Sequence, residues 1–235
     1  PTSPRQLIAN SMKDTELPHV HVVIAAHNEA RIIARRIQNL QMLDYPTHKM
    51  DVYLGTDGCT DATAEIAREA ASNDDYIKIM EFSENRGKMV VLREIISHIG
   101  NTGNAPSSSL LVFSDANTMF AHDAVRNLVK SFSDPRVGGV CGRLVFTHPS
   151  PESADIEQAL ENPAEEGLYW RLETKLKAWE SALDSCLGAN GAIYAIRTTL
   201  FWESIPTNTI VDDFVIGMKV REQGYRMIYD PSAIA

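Results

Sequence analysis

Four acidic positions along the chain have the residue types and the placement needed for chemistry: Glu29, Asp57, Asp115 and Asp213. The first three follow apolar, β-rich runs, and Asp213 belongs to an acidic pair in "TIVDDFVIG". Carboxylates at strand ends lie along the edge of an open α/β sheet, where ligands bind. The pattern predicts one pocket assembled from distant segments, able to hold a metal ion, a sugar or a nucleotide base, or to remove a proton.

The elements that would position these acids alternate between strands and helices through the first 145 residues. We predict strands at 20–26, 50–56, 76–82, 110–115 and 137–146, and helices at about 29–43, 87–99 and 121–132. A further helix ends at Ala71, with Thr60 and Asp61 as candidates for its N-cap. Ile33, Ile37 and Leu40 give the first helix an apolar stripe. This alternation is typical of βαβ units, so the predicted class is α/β with a mainly parallel sheet and helices on both faces.

The second half of the chain departs from this alternation. Residues 147–163 are polar and rich in proline, which indicates a flexible insertion, and a long helix is predicted at 164–185. We predict that its apolar stripe packs in the core or at a membrane interface; the stripe is Leu168, Leu172, Leu176, Trp179 and Leu183. "GANGAIYAIR" (188–197), a helix at 212–223 and a strand at 225–230 complete a cap on the sheet within the same domain.

Composition restricts the function classes. The 235 residues carry a formal net charge of −9, which argues against nucleic acid as a partner, because backbone binding needs clustered Lys and Arg. Three cysteines without CxxC spacing predict unpaired thiols in a reducing compartment, neither a disulfide framework nor a zinc site. No apolar run approaches the roughly 20 residues of a membrane span.

Residues 1–18 are polar and aperiodic, and we expect them to form a leader before the domain. The chain begins at Pro1 without a signal peptide and ends in "DPSAIA" directly after a predicted strand. We therefore expect the domain to be excised from a longer protein.

The candidate residues also have structural explanations that the sequence leaves open. A carboxylate at a helix start can serve the helix dipole or cap the helix, and Asp61 is expected to do the latter. Asp115 and Asn117 can form an Asx-type turn, and Lys88 can be a solvated lysine at a helix start.

Six segments in order resemble the family 2 glycosyltransferases of the GT-A fold: "AAHNEA", "TDGCTDAT", "NRGK", "SDAN", "GANGAIYAIR" and "VDDFVIGMKVREQGYR". Within that family the chain is most similar to the membrane-attached synthases of hyaluronan, chitin, cellulose and poly-N-acetylglucosamine. The resemblance covers about residues 19–233. It implies a catalytic domain at 19–235, with a nucleotide-binding half (19–146) and an acceptor-side half (147–235).

The resemblance assigns roles to individual residues. It implies nucleotide binding by Ala26, Asn28, Glu29, Asp57, Lys88 and Asp115. Asp57 matches the family aspartate that accepts the uracil imide N–H, which implies a uridine nucleotide. Acceptor binding is implied for Gly188, Asn190, Gly191 and Asp212.

The same resemblance implies a metal ion and a catalytic base. Asp115 and Asn117 stand where the family has Asp-x-Asp, which implies a Mg²⁺ or Mn²⁺ site in which an amide replaces the second carboxylate. Asp213 takes the position of the family's catalytic base, and Asp212 replaces the glutamate before it. A base is required because the acceptor hydroxyl must lose its proton as the new bond forms.

The implied activity is inverting transfer of a sugar from a UDP-sugar donor to a carbohydrate or lipid-linked hydroxyl acceptor. Membrane attachment would come from segments outside this chain, with the catalytic domain on the cytoplasmic face. A degenerate, non-catalytic nucleotide-binding or regulatory domain is the alternative, because Asn117 replaces an aspartate and the family's Gln/Arg-x-x-Arg-Trp motif is absent. Nucleotidyl transfer onto a sugar phosphate is disfavoured, because "AAHNEARII" lacks a glycine-rich loop.

Overall fold

The computed structural model describes residues 12–102, 106–145, 168–201, 205–206 and 211–235. The strands are β1 (Val20–Ala26), β2 (Met50–Asp57), β3 (Ile77–Phe82), β4 (Leu110–Asp115), β5 (Val137–Arg143), β6 (Tyr194–Arg197) and β7 (Arg226–Ile234). The helices are α1 (Ile33–Gln41), α2 (Thr63–Ala70), α3 (Lys88–Asn101), α4 (Ala124–Lys130), α5 (Leu168–Leu183) and α6 (Asp212–Glu222).

The seven strands form one sheet in the order β3-β2-β1-β4-β6-β5-β7. β6 runs antiparallel to β4 and β5, and the remaining pairs are parallel, which confirms the predicted α/β class and mainly parallel sheet. The register aligns Ala26 with Thr56 and Ala25 with Asp115. The carboxyl ends of β1, β2 and β4 therefore lie together at one edge of the sheet.

The core occupies both faces of this sheet, because successive strand residues point in opposite directions. Val22 and Ile24 of β1 pack in one cluster with α1, whereas Val23 packs in the other cluster with α3. The predicted stripe of α1 is confirmed, since Ile33, Ile37 and Leu40 are fully buried there. The central strands are covered on both sides, as a parallel sheet requires.

Several helices are shorter than the sequence predicts. α1 begins at Ile33 instead of Glu29, because a turn comes first in which the Glu29 carbonyl accepts hydrogen bonds from the N–H groups of Ile32 and Ile33. α2 and α4 are also shorter, at Thr63–Ala70 and Ala124–Lys130. β7 is longer than predicted, since it pairs with β5 as far as Ile234 opposite Arg143.

The described part of the predicted leader, residues 12–18, is held to the domain. Leu17 is buried, and its carbonyl accepts a 2.8 Å hydrogen bond from the Lys49 ammonium. The Tyr45 hydroxyl donates to the Pro18 carbonyl at 2.6 Å. The predicted insertion at 147–163 and the start of the long helix at 164–167 lie outside the described residues.

The apolar stripe of α5 is not part of the core, so the prediction of core packing is wrong for its described side chains. Leu172, Leu176, Trp179 and Leu183 are exposed by 53% to 89%. The helix contacts β7 through other positions, such as Ser181, whose Oγ accepts the N–H of Tyr229. Helical spacing shows that apolar residues share a face, but it does not show what covers that face.

No helix in the described ranges combines the length and the apolar character that crossing a membrane demands. All three cysteines are free thiols. Cys141 and Cys186 are buried, with their sulfur atoms 3.8 Å apart, a proximity that their separation in sequence does not reveal.

Candidate active site

The loops that follow β1 and β2 are joined by side chains from the "HNEA" segment. Asn28 has a positive φ of 55°, a conformation that asparagine tolerates better than most residues. Its Oδ1 accepts the N–H of Thr60 at 2.8 Å, and His27 Nδ1 lies 2.6 Å from the Asp57 carbonyl oxygen. Ala26 is buried just before this junction. The first two acidic positions therefore share one connected edge of the sheet.

Asp57 is buried, with only 3% of its surface exposed, and both of its carboxylate oxygens are engaged. Oδ1 accepts the N–H of Arg86 and Oδ2 accepts the N–H of Gly87, each at 2.8 Å. Gly87 has φ 89°, which favours glycine at the residue before α3. Asp57 thus fixes the start of α3 and, through it, Lys88; its reading of a nucleotide base stays a prediction.

Glu29 lies half-exposed in the turn before α1, where its N–H donates to Thr63 Oγ1 at 2.8 Å. Asp61 Oδ1 accepts the N–H of Thr63 at 3.0 Å, and Asp61 Oδ2 accepts the N–H of Ala30 at 3.2 Å. Asp61 therefore has the structural role expected of it, at the start of α2. The Glu29 carboxylate stays a candidate for nucleotide binding.

Lys88, the first residue of α3, connects Asp115 with Asp212, the neighbour of Asp213 in the acidic pair. Its ammonium nitrogen lies 2.8 Å from Asp115 Oδ1 and 3.3 Å from Asp212 Oδ2. Burial acts to lower the pKa of Lys88, but the charges of Asp115 and Asp212 outweigh burial and raise that pKa overall. The lysine is therefore a fixed positive charge between two carboxylates and is not a solvated lysine.

Gly191 marks the point on which the charged groups converge. A Cβ atom built on it would lie 3.4 Å from Asp115 Oδ2, 3.7 Å from Asp213 Oδ2 and 3.7 Å from Lys88 Nζ. Residues from β4, the β6 loop, α3 and α6 thus surround one small space. Because residue 191 is glycine, no side chain of its own occupies this space.

Asp213 lies in the first turn of α6 and is half-buried. Burial raises the pKa of its carboxyl group, and the negative charge of Asp212 raises it further, whereas Lys88 acts in the opposite direction. A raised pKa makes the carboxylate a stronger base. Since one of its oxygens faces the space at Gly191, Asp213 can accept a proton from a group bound there.

The predicted acceptor-side loop is held by its own polar groups. The Asn190 amide nitrogen donates to the Gly142 carbonyl at 2.9 Å, and its Oδ1 accepts the N–H of Ile193 at 3.2 Å. A Cβ on Gly188 would lie 2.7 Å from the Phe214 ring, so glycine lets the loop approach α6. Gly188 and Asn190 shape the loop, and Gly191 lines the space; contact with an acceptor remains a prediction for all three.

The oxygen atoms at β4 suit a hard divalent cation. Asp115 Oδ1 accepts a hydrogen bond from the Lys88 ammonium, whereas Oδ2 faces the space at Gly191. Asn117 is exposed in the turn two residues after Asp115. The Thr118 N–H donates to the backbone carbonyl of Asp115 in this turn, and the Asx-turn alternative stays open. Among the described residues, one group of three potential ligands lies within 4.8 Å, and it is elsewhere: His19, His21 and Asp51.

Tyr194, which follows the Gly-rich segment on β6, is a site residue that the sequence does not indicate. Its hydroxyl is buried and has no hydrogen-bond partner among the residues that the structure describes. Burial, followed by the charges of Asp212, Asp213 and Asp115, raises its pKa well above the ordinary value, so the phenol stays neutral beside these acids. An apolar strand pattern marks such a tyrosine as core, and nothing in that pattern indicates acidic neighbours.

Arg36 was also missed, although it shares the buried face of α1 with Ile33. It is fully buried, donates to Ser114 Oγ at 2.9 Å, and stacks 4.3 Å from the centre of the Phe120 ring. Burial lowers the pKa of Arg36 to about 9, while Asp115 acts to raise it. A buried arginine thus lies behind β4 and interacts electrostatically with Asp115. An arginine on an apolar helical stripe is the signal that could have revealed it.

Comparison with protein families gives one match over most of the chain. Residues 21–189 match the family model described as "Glycosyl transferase family 2". The chain is 27% identical over 222 residues to a poly-beta-1,6-N-acetyl-D-glucosamine synthase of Staphylococcus aureus, covering 93% of this chain and 50% of that synthase. A beta-monoglucosyldiacylglycerol synthase of Nostoc is 29% identical over 126 residues, covering 53% of this chain and 25% of that protein.

Solved structures resemble the whole fold. A mannosyltransferase from Pyrobaculum calidifontis, in complex with GDP-mannose and Mn²⁺, has a TM-score of 0.73 at 24% identity, covering 98% of this chain and 61% of that one. The structure of GalNAc-T7 with UDP, GalNAc and Mn²⁺ has a TM-score of 0.64 at 11% identity, covering 97% of this chain and 48% of that one. These likenesses show the fold, and the match to the synthases confirms the resemblance to that branch.

Proposed function

Because the chain belongs to glycosyl transferase family 2 and has the GT-A fold, we propose that it is the catalytic domain of an inverting glycosyltransferase. It moves a sugar from a nucleotide-sugar donor to a hydroxyl acceptor. The observation that carries this proposal is the convergence of Asp115, Lys88 and Asp213 on the space at Gly191. A diphosphate, an anomeric carbon and an acceptor hydroxyl need this combination of charge and base at one place.

The nucleotide occupies the edge formed by the β1 and β2 loops. Asn28 and Glu29 present polar groups there, next to buried Ala26, and Asp57 is the candidate that selects uracil. Both oxygens of Asp57 already accept backbone N–H groups, but each carboxylate oxygen has a second lone pair. The donor we propose is therefore a UDP-sugar.

A divalent cation is part of the proposal, because the residues present fit one. Asp115 Oδ2 and the Asn117 amide oxygen are the protein atoms that would hold Mg²⁺ or Mn²⁺. Bound there, the ion would supply positive charge for the diphosphate. Lys88 adds a fixed charge of its own on the same side of the space.

In the proposed chemical step, Asp213 is the base and the nucleoside diphosphate is the leaving group. An acceptor oxygen attacks the anomeric carbon while its proton passes to Asp213; the bond between that carbon and the diphosphate oxygen breaks, and the nucleoside diphosphate leaves with the electron pair. A single displacement of this kind inverts the anomeric configuration. Asp212 keeps Asp213 basic and holds Lys88, and Gly188, Asn190 and Gly191 form the loop beside the acceptor.

The acceptor that we propose is a carbohydrate or lipid-linked sugar, and the sugar in the name of the 27% identical synthase makes N-acetylglucosamine the first donor sugar to examine. Since the chain spans half the length of that synthase, membrane attachment and a cytoplasmic active site belong to the proposal for the whole protein.

Replacing the base tests the function. Asp213→Asn should lower transfer from UDP-sugars by roughly 10²–10⁴-fold, because the acceptor proton loses its destination. UDP binding, measured by calorimetry, should change little. The exposed Glu65→Gln serves as a control with unchanged transfer. Equal turnover of Asp213→Asn and the unaltered protein would refute the assignment of the base, and UDP binding without transfer in the unaltered protein would favour the non-catalytic alternative.

A further inference from the structure

A second polar cluster lies at the opposite end of the sheet from the donor site. It consists of His19, His21 and Asp51, at the amino ends of β1 and β2, and we call it the His–His–Asp cluster. Asp51 is the second residue of β2, whereas Asp57 at the donor site is its last. The cluster is therefore separate from the site proposed for sugar transfer, and its role does not depend on that function.

Strand geometry brings these three side chains to one face. His19 and His21 are two residues apart, so extended backbone directs both to the same side. The parallel register places Asp51 directly opposite His21. His19 Nε2 lies 2.8 Å from Asp51 Oδ2, and His21 Nδ1 lies 3.5 Å from the same oxygen. One carboxylate oxygen thus faces both imidazole rings.

His21 is the unusual member of the cluster. Only 1% of its surface is exposed, and within the described part of the chain neither ring nitrogen has a hydrogen-bond partner of good geometry, since the Nδ1 contact with Asp51 is 3.5 Å long. Buried polar groups without partners are rare in folded proteins, because burial removes the water that would otherwise solvate them. A ligand atom or ion bound to this ring would supply the missing partner.

From this arrangement we propose that the His–His–Asp cluster is a binding site for a zinc-type transition-metal ion. Two imidazoles and one carboxylate are three of the four ligands of a typical tetrahedral zinc site. Bond lengths of about 2.0–2.2 Å put ligand atoms about 3.3 Å apart in such a site. The observed separations of 2.8 Å and 3.5 Å, with all three atoms within 4.8 Å, approach that geometry.

Lys78 lies beside the cluster and is expected to weaken the binding of a metal ion there. Its ammonium lies 2.8 Å from Asp51 Oδ1 and 3.1 Å from the Tyr53 hydroxyl, so it holds the carboxylate oxygen that the histidines do not face. Its positive charge opposes a second cation nearby. The side chain is 39% exposed and can turn toward solvent, and His19 is exposed enough to admit an ion and a fourth, water ligand.

The metal would link the start of β1 to the start of β2, because its ligands come from both segments. Since only the folded chain assembles the three ligands, binding stabilises the native state. Imidazole nitrogens favour zinc-type ions, and the oxygen atoms around Asp115 favour Mg²⁺ or Mn²⁺, so different metals distinguish the two sites.

Zinc titration of the purified protein, by calorimetry and by thermal unfolding, tests the proposal. We expect one Zn²⁺ site that His19→Gln and Asp51→Asn each weaken by at least about tenfold, the effect of losing even an outer-sphere partner. His48→Gln, at an exposed histidine elsewhere, should leave the affinity unchanged. Lys78→Met should increase the Zn²⁺ affinity, because it removes a positive charge beside the site. A merely structural role for the cluster does not predict this increase.

Cobalt provides a test that needs no substitution. Co²⁺ in the cluster should give the visible absorption of a low-coordinate site with imidazole ligands, and Zn²⁺ should displace it. Absence of that absorption at saturating Co²⁺, or equal Zn²⁺ affinity in His19→Gln and His48→Gln proteins, would overturn the proposal. Loss of binding in His19→Gln with an unchanged circular dichroism spectrum would support it.

Discussion

At the scale of single residues, Lys88 links the two halves of the candidate site. Its ammonium pairs with Asp115 from β4 and Asp212 from α6, two residues almost 100 positions apart in sequence. Desolvation alone would favour neutral lysine, but two carboxylates at this range keep it charged. The site therefore holds a permanent cation before any metal binds.

Gly191 offers a sharp test of that site. Gly191→Ala should preserve the fold, because its Cβ would meet its neighbours at ordinary contact distances of 3.4–3.7 Å and the glycine has no positive φ. The methyl group would nevertheless fill the space between the charged groups, so we expect transfer to fall by roughly 10²-fold. Thermal unfolding and a transfer assay measure the two effects.

Gly100→Ala is the matched control, since a Cβ there meets nothing within 4 Å, in α3. It should gain stability by about 0.4–1 kcal/mol and keep full activity. Normal transfer by Gly191→Ala would show that the reacting groups do not meet at this glycine.

The pH dependence of transfer should report on Asp213. The base works when it is deprotonated, so a pKa raised by burial and by Asp212 moves the acid limb of kcat/KM to higher pH. Asp212→Asn removes the like charge, so the Asp213 pKa should fall and the acid limb should move to lower pH. Burial persists, and the limb should stay above that of an ordinary carboxyl group.

A pH–rate profile on the two proteins, normalised to each maximum, measures the shift. Glu65→Gln on α2 controls for general charge removal and should leave the limb in place. Movement of the limb to higher pH in Asp212→Asn would contradict the proposed role of this pair.

At the scale of elements, the start of α3 depends on a residue of a different element. Asp57 at the end of β2 accepts the backbone N–H groups of Arg86 and Gly87, which would otherwise lack partners before the helix. These two hydrogen bonds fix the backbone just before Lys88 and so help to position its side chain next to Asp115. A strand-end carboxylate thus acts on the site through the backbone.

Asp57→Ala should therefore destabilise the domain by about 1–3 kcal/mol, because two N–H groups lose a charged acceptor. Urea denaturation measures this, with exposed Asp75→Ala as a control that should change stability by less than about 0.5 kcal/mol. If Asp57 served only to read uracil, Asp57→Ala would weaken UDP binding and leave the free energy of unfolding unchanged.

At the scale of the whole molecule, charge argues for a metal in donor binding. The chain carries a net charge of −9. Among the described residues, Asp115, Asp212 and Asp213 lie around the proposed diphosphate position, and Lys88 is the lysine paired with two of them. A diphosphate brings further negative charge, so we expect UDP affinity to fall at least about tenfold, or about 1.4 kcal/mol, when divalent metal is removed.

Calorimetry with and without Mn²⁺ or Mg²⁺ measures this dependence. Uridine is the control ligand, because it lacks the diphosphate and should bind equally in both conditions. Equal UDP affinity with and without metal would count against a cation at Asp115 and Asn117.

The sequence by itself determined the α/β class, the alternation of elements and most of the acids at the sheet edge. Those features are local: apolar runs and turn residues act within a few positions, and strand ends can be read from them. The same information predicted that Glu29, Asp57, Asp115 and Asp213 contribute to one pocket. It also identified Asp61 as a structural residue just before α2, where its carboxylate accepts the N–H of Thr63.

Only the tertiary structure decided which of these residues meet. It joined Lys88 to Asp115 and Asp212, buried Tyr194 and Arg36 behind them, and left the stripe of α5 exposed. It also brought His19 and His21 to Asp51, far from the donor site. These outcomes depend on strand order and register, which arise from packing across the whole sheet and are not encoded in the spacing of any one segment.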